Sequence, residues 1–254
     1  MTVGSIAQTQ MSDAMLKLST MKRVNSASDD AAGLAIMEKM EGQIRGIDRG
    51  TDNTLDMKNL VRTAEGGLSG IEDSLQRVRE LSVQASNGIY TDSDRQLIQN
   101  EVSQLMDGIN DVAKNTEFNG QKLLDGSFTE KHTASSADGS GADVTIPNMD
   151  AIAIGLDGFD VSKGNFDIGT IDKALSLVSS ARSTLGAMEN RFDYTVNSNN
   201  VMMLNQVAAK SRIADLDMAK GVSDMEKGRV LNEMAIYNQR QQQERARMPL
   251  SLLG

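Results

Sequence analysis

The chain has 254 residues, a formal net charge of -9 and a pI near 4.7, a balance that excludes nucleic acid or an anionic membrane surface as the main partner, because both need clustered Lys and Arg. With no Cys there is no disulfide framework, thiolate metal site or cysteine nucleophile. Five Phe, three Tyr and no Trp stand against 16 Met, which favours narrow helix seams over a thick aromatic core. Only Pro147 and Pro249 interrupt the backbone donors, so long helices are permitted on both sides of the middle. No apolar run reaches the roughly 18 residues of a membrane span. The opening MTVGSIAQTQMSDAML has neither a basic nor an apolar leader region, so export would proceed without a standard signal peptide.

In chain order, Ser28 reads as an N-cap with Asp29 and Asp30 in the first turn, where carboxylates complement the helix dipole. Met37, Met40, Ile44, Ile47 and Thr51 then step by three and four, Leu55 continues the stripe before it shifts to Val61, Ala64 and Leu68, and Gly66 and Gly67 weaken the helix near its end. A second helix is expected over about 71–87, with Ile71, Leu75, Val78, Leu81 or Ser82, and Ala85 on one face and Asn87-Gly88 closing it. Thr91-Asp92-Ser93-Asp94 is a capping box for a third, whose Ile98, Val102, Leu105, Ile109 and Val112 share a face and form a helical hairpin with the second.

From Thr116 the helical pattern fails, and Asn119-Gly120, Asp125-Gly126 and residues 135–143 carry turn chemistry. Asp143–Ile146 and Ala151–Ile154 are expected to form short strands, giving a small β-hairpin region at about 128–168. After Ile171 two seams run in heptads: Ile171, Val178, Leu185, Phe192, Asn199, Gln206 and Ile213, with Ala174, Ala181, Met188, Thr195, Met202, Ala209 and Leu216 beside them. A helix over 171–216 would be ~69 Å long, against a radius of gyration of ~18 Å for a compact chain of this length. The expected fold class is therefore mainly α, an elongated bundle of long antiparallel coiled-coil helices from both chain ends with a β-hairpin in the middle. The seam after Ile171 needs a partner, and the N-terminal helix is the expected one.

Five ordered segments carry a resemblance. RVNSASDDAAGLAI at 23–36, LQRVRELSVQASNG at 75–88, EFNGQKLLDG at 117–126, AKSRIADLDMAK at 209–220 and the final LSLLG resemble bacterial flagellins in order and spacing. The resemblance implies a structural subunit that polymerises into the flagellar filament for motility, with an inner filament-core domain from residues 1–30 and 214–254 and a rod domain over 31–213. About forty residues between the arms are too few for the family's outer domains. Against the family pattern the chain begins late by roughly a dozen residues, and a trimmed start, a misassigned start codon or a short paralogue would each account for it. Such a start would leave part of the apolar face of the C-terminal helix, 214–248, uncovered.

The resemblance further implies recognition by the innate immune Toll-like receptor 5 at Arg77, Leu81, Gln84 and Glu101, with Arg79 and Glu80 beside them, on a face that could also serve the protofilament contact. It implies a secreted, extracellular location and, as partners, the flagellar export chaperone, the type III export apparatus, and hook-associated and cap proteins. Arg240, Arg245 and Arg247 could meet a chaperone, although a solvated face is the plainer reading. No cofactor, metal or catalytic set is expected. His132 reads as a solvated loop residue, the Met stripe as seam filler, and Ser19-Thr20-Met21-Lys22 lacks the companion motifs of a penicillin-binding enzyme. Asp215 and Asp217 lack a calcium loop's glycine and glutamate, and Gly139-Ser140-Gly141 lacks a nucleotide loop's third glycine. The rival readings are a hook–filament junction protein of the same family and a chemoreceptor-like signalling coiled coil; the second would need a symmetric hairpin tip, which residues 119–168 do not resemble.

Overall fold

The computed structural model describes the backbone of residues 3–251 and the side chains of residues 8–243. In chain order it contains α1 (Val3–Thr20), α2 (Ala31–Ala85), α3 (Asp92–Asn115), β1 (Glu117–Phe118), β2 (Gln121–Lys122), β3 (Lys131–Ala134), β4 (Gly141–Val144), α4 (Ile168–Ala214) and α5 (Met218–Ser251). The fold is mainly α with small β-hairpins in the middle, as the sequence implies. Two compact units divide it, residues 45–202 and residues 1–44 with 203–254, and the divisions fall inside α2 and α4.

In the unit of residues 45–202, α2 is one helix where the sequence suggested two. Gly66 and Gly67 do not end it. A Cβ on Gly67 would lie 2.7 Å from the Thr116 hydroxyl and 2.8 Å from a Leu124 methyl, so this glycine admits the chain after α3 against the helix. From Leu60 to Ala85 the helix buries Val61, Ala64, Leu68, Ile71, Leu75 and Val78 at steps of three and four, whereas Leu55, which the sequence reading assigns to the stripe, is exposed because the buried face has rotated past it. Two buried hydroxyls sit on the same helix without orphaning a donor, because Thr54 donates to the Gly50 carbonyl and Ser82 to that of Val78, each at 2.7 Å.

Facing this stripe, α4 buries Ile171, Val178, Leu185, Phe192 and Asn199, the first seam read from the sequence. The companion seam holds at Ala174 and Ala181 and then opens, since Met202 is exposed. The helices are antiparallel: Lys58 pairs with Asp193, Arg62 with Glu189, Arg182 with Glu72, and Arg79 with Asp172 at 2.7 Å. Asn199 donates to the Ser135 carbonyl (2.8 Å) and to the Thr51 hydroxyl (3.3 Å), tying α4 to α2 and to the β3–β4 turn. Gly46 and Gly50 make room for that turn: a Cβ on Gly50 would fall 2.4 Å from the Ser135 carbonyl oxygen, and one on Gly46 2.7 Å from the Ala137 side chain.

The third helix starts as its capping box requires, with Asp94 N–H donating to the Thr91 hydroxyl and the Asp94 carboxylate accepting from Thr91 N–H. Its polar side chains hold the irregular segment that follows: the Gln99 and Asn110 amide oxygens accept from the N–H groups of Val161 (2.7 Å) and Ala151 (3.0 Å). Asn119 and Gly120, at φ 49° and 76°, form the two-residue turn that pairs β1 with β2. Strands β3 and β4 pair from Lys131 opposite Val144 to Ala134 opposite Gly141. Ala151–Ile154 is not a strand. Asp150 accepts from Ala153 N–H through its carboxylate and from Ile154 N–H through its carbonyl, winding one turn that buries Ala151 and Ile154 and leaves Ile152 exposed. His132 belongs to β3 and is not a loop residue. Its ring nitrogens lie 3.1 Å from the Gly139 carbonyl and 2.7 Å from Asp143, and these acceptors, the carbonyl first, favour the doubly protonated ring and raise its pKa above the usual 6.5.

In the unit formed by both chain ends, α1 packs on α5. Each arm is interrupted, and the interruptions pair: Arg23 N–H donates to the Ala214 carbonyl (2.7 Å) and Leu216 N–H to that of Met21 (3.0 Å). Asp217 then caps α5 through the N–H groups of Ala219 and Lys220. The N-cap of α2 is Asp30, whose carboxylate accepts from Gly33 N–H at 2.8 Å; the Ser28 hydroxyl instead meets that of Ser26. Lower down the same unit, Lys210 pairs with Glu41 (2.9 Å) and Gln206 donates to Gln43 (3.1 Å).

Asp29 is not a first-turn residue but a clamp. Its carboxylate meets Lys17 of α1 at 3.1 Å and accepts from the N–H groups of Asn25 and Ser26, and the lysine and these donors hold its pKa at about 2. Because the folded pKa lies below the unfolded 3.8, the stabilisation is present above about pH 4 and is lost as pH falls through about 2. Acid titration followed by amide exchange at Asn25 and Ser26 is expected to show protection lost in that window, and Asp29→Asn is expected to remove this acid-sensitive step at every pH.

Candidate functional site

Four of the residues singled out from the sequence, Arg77, Glu80, Gln84 and Glu101, are brought together at the α2–α3 hairpin, and two, Arg79 and Leu81, are not. Arg77 donates through Nε (3.0 Å) and Nη2 (2.8 Å) to the same Glu101 oxygen and through Nη1 to Glu80 at 3.1 Å. Glu101 and then Glu80 raise the guanidinium pKa further, so this charge is fixed and paired. On the other flank, Arg79 reaches Asp172 of α4. The Gln84 amide donates to the Tyr90 hydroxyl at 3.1 Å, spanning the turn between the helices. Arg77, Glu80, Gln84 and Glu101 present polar, accessible atoms.

Leu81 does not belong to this surface. Only 2% of it is exposed, because it lies between the Arg77–Gln84 edge and the buried stripe of α2, within the core that Ile98 and Val102 of α3 complete. It holds the hairpin together and cannot touch a partner while α3 is in place. Apolar side chains absent from the sequence reading flank the ion pairs instead: Ile89 and Leu97 are 77% and 67% exposed, and Val83 about half. Leu97 was detectable, since it falls out of phase with the Ile98, Val102 and Leu105 steps and lies four residues before Glu101 on the exposed side.

A second accessible surface lies on α5. Val230, Met234 and Tyr237 follow an i, i+4, i+7 spacing and each is at least half exposed, with Met218 and Val222 exposed nearer its start. Arg240 is exposed as well, whereas Arg245 and Arg247 lie outside the residues with described side chains. Among the described residues, no three His, Cys, Asp or Glu side chains converge as metal ligands, and no helix is long and apolar enough to cross a membrane.

Comparison with known proteins decides the family. The bacterial flagellin N-terminal helical region matches residues 1–129, and the bacterial flagellin C-terminal helical region matches residues 168–253. The chain belongs to the bacterial flagellin family. Flagellin of Bacillus subtilis is 42% identical over 258 residues, spanning 86% of this chain and 84% of that protein. The flagellar filament 33 kDa core protein of Treponema phagedenis is 39% identical over 259 residues, spanning 94% and 91%. In fold alone, the chain is similar to a putative flagellar hook-associated protein from Vibrio parahaemolyticus, with a TM-score of 0.61, 17% identity and coverage of 74% of this chain and 100% of that one. Flagellins are structural proteins, so this chain is a structural protein and not an enzyme. The junction-protein reading is not favoured, since these ~40%-identical relatives are named as flagellin and filament core protein.

Proposed function

We propose that the chain polymerises with copies of itself as a subunit of the bacterial flagellar filament, residues 1–30 and 214–254 forming the inner filament-core domain and residues 31–213 the rod. The observation that carries this reading is the apolar stripe of Val230, Met234 and Tyr237 on α5, which a monomer leaves in water and a polymer of helices would bury. Burying one such side chain is worth ~1.5–3 kcal/mol. Met234→Asp is therefore expected to abolish sedimentable polymer while leaving the helical circular dichroism of the monomer unchanged. Polymer formed at the unsubstituted protein's rate would remove α5 from the interface.

The polar edge of the α2–α3 hairpin is proposed to serve two contacts, the one between subunits along a protofilament and recognition by Toll-like receptor 5. Supporting it are a rigid guanidinium held by Glu101 and Glu80 and the exposed apolar Ile89 and Leu97 nearby, a charged and apolar mixture suited to a protein interface. Arg77→Ala is expected to weaken receptor binding by at least tenfold, equivalent to ~1.4 kcal/mol, and to slow assembly as well; unchanged binding together with unchanged assembly would exclude both roles. On this reading the subunit is exported through the type III apparatus with a chaperone, is added beyond the hook-associated proteins beneath a cap, and resides outside the cell.

A further inference from the structure

We propose that Asn87 is a site of spontaneous covalent modification, at which its side-chain amide is converted to aspartate and isoaspartate through a cyclic imide, selectively over the chain's second Asn-Gly pair at Asn119. The inference stands on local geometry and does not depend on the assembly or receptor readings.

Asn87 and Gly88 form the exposed corner between α2 and α3. The Asn87 side-chain oxygen accepts a hydrogen bond from Ile89 N–H at 3.2 Å, which folds the side chain back over the following peptide and brings its carbonyl carbon toward the Gly88 nitrogen. The same N–H supports the negative charge that develops on that oxygen during attack, as a backbone donor does in an oxyanion hole. Among the described residues the Gly88 N–H makes no hydrogen bond, and a Cβ built on Gly88 would meet nothing within 4 Å. The nucleophile is thus uncommitted and unshielded.

The chemistry needs only water. A base removes the Gly88 N–H proton, the nitrogen pair attacks the Asn87 side-chain carbonyl carbon, a C–N bond forms and ammonia departs with the proton. Water then opens the five-membered imide at either carbonyl. Opening at the main-chain carbonyl gives isoaspartate, routing the backbone through the side chain and pulling against the Tyr90 N–H bond to the Asn87 carbonyl (3.3 Å) that closes this corner. Opening at the other gives aspartate, a new negative charge next to the Gln84–Tyr90 pair.

Asn119-Gly120 has the same two residues in a different cage. Both occupy positive φ, 49° and 76°, in a turn clamped by the paired strands β1 and β2, and among the described residues the Asn119 amide oxygen accepts from no N–H. Ring closure there must first undo the turn.

The test is incubation of the full chain at mildly alkaline pH, with peptide mapping of the gain of about 1 Da that replaces amide by acid, and with methylation of isoaspartate by its repair methyltransferase. Asn87 is expected to react severalfold faster than Asn119 in the folded chain, and the two rates are expected to converge in concentrated urea, where both are unstructured Asn-Gly pairs. Gly88→Ala, which the open space tolerates, is expected to suppress reaction at Asn87 and leave Asn119 unchanged. Equal rates in the folded chain, a preference for Asn119, or a preference for Asn87 that persists in urea would overturn the proposal.

Discussion

Leu75→Ala is expected to destabilise the unit of residues 45–202 by ~2–5 kcal/mol. Leu75 is fully buried at the middle of the α2 stripe, in the cluster where α3, α4 and the segment after β2 converge. Its removal deletes apolar burial and leaves a cavity among packed helices that relax only partly around it. A small domain is stable by only ~5–15 kcal/mol, so the loss is a large share of the whole. With a urea dependence of ~2 kcal/mol/M, the unfolding midpoint should fall by at least ~1 M with little change in slope. Val83→Ala, on the exposed side of the same helix, should stay within ~0.5 kcal/mol of the unsubstituted protein. Equal effects of the two substitutions would mean that α2 does not bury the face assigned to it.

Gly50→Ala should be nearly as damaging, for the opposite reason. A single methyl there would sit 2.4 Å from the Ser135 carbonyl oxygen and 2.6 Å from its carbon, atoms that belong to main chain and cannot swing aside. The turn between β3 and β4 must lift off α2, and Asn199 then loses the Ser135 carbonyl that satisfies its buried amide. Overpacking of this kind costs ~1–3 kcal/mol, and a stranded buried amide adds ~1–3 kcal/mol. Thermal unfolding should report the sum, and exchange at the Ser135 and Ser136 amides should report its location, with Gly42→Ala, where a Cβ meets nothing within 4 Å, as the tolerated control. Gly50→Ala behaving like Gly42→Ala would mean that the hairpin does not rest on α2.

These two sites also mark where sequence reasoning succeeds and where it stops. The α2 stripe, the first α4 seam and the Thr91–Asp94 cap were legible because each depends on periodicity or on partners within one turn of helix. The continuity of α2 through Gly66-Gly67 was not, because the reason for Gly67 lies on Thr116 and Leu124, about fifty residues away in sequence and visible only once the chain has folded back. For the same reason the Gly46–Gly50 platform has no signature in the sequence. The N-cap of α2 moved from Ser28 to Asp30 because three cap-forming residues stand in a row, and Lys17 of α1 engages Asp29 and leaves Asp30 to the helix.

At the candidate site the charged residues and Leu97 carry a signal in the sequence, whereas the burial of Leu81 and the exposure of Ile89 do not. An i, i+4, i+7 step places Arg77, Leu81 and Gln84 along one edge of α2, yet Leu81 lies on the shoulder that α3 covers. Spacing along one helix fixes direction only to within the width of its neighbour's shadow. Ile89, in the turn between the helices, has no helical phase and becomes a recognisable surface residue only once the hairpin has closed, whereas the phase of Leu97 already places it on the exposed side of α3.

As a filament subunit, this chain must assemble with itself. Electron microscopy of the purified protein under polymerising salt tests it most directly. Long helical filaments are expected with the unsubstituted chain and none with Met234→Asp; a protein that remains folded and monodisperse at every protein and salt concentration would rule out self-assembly.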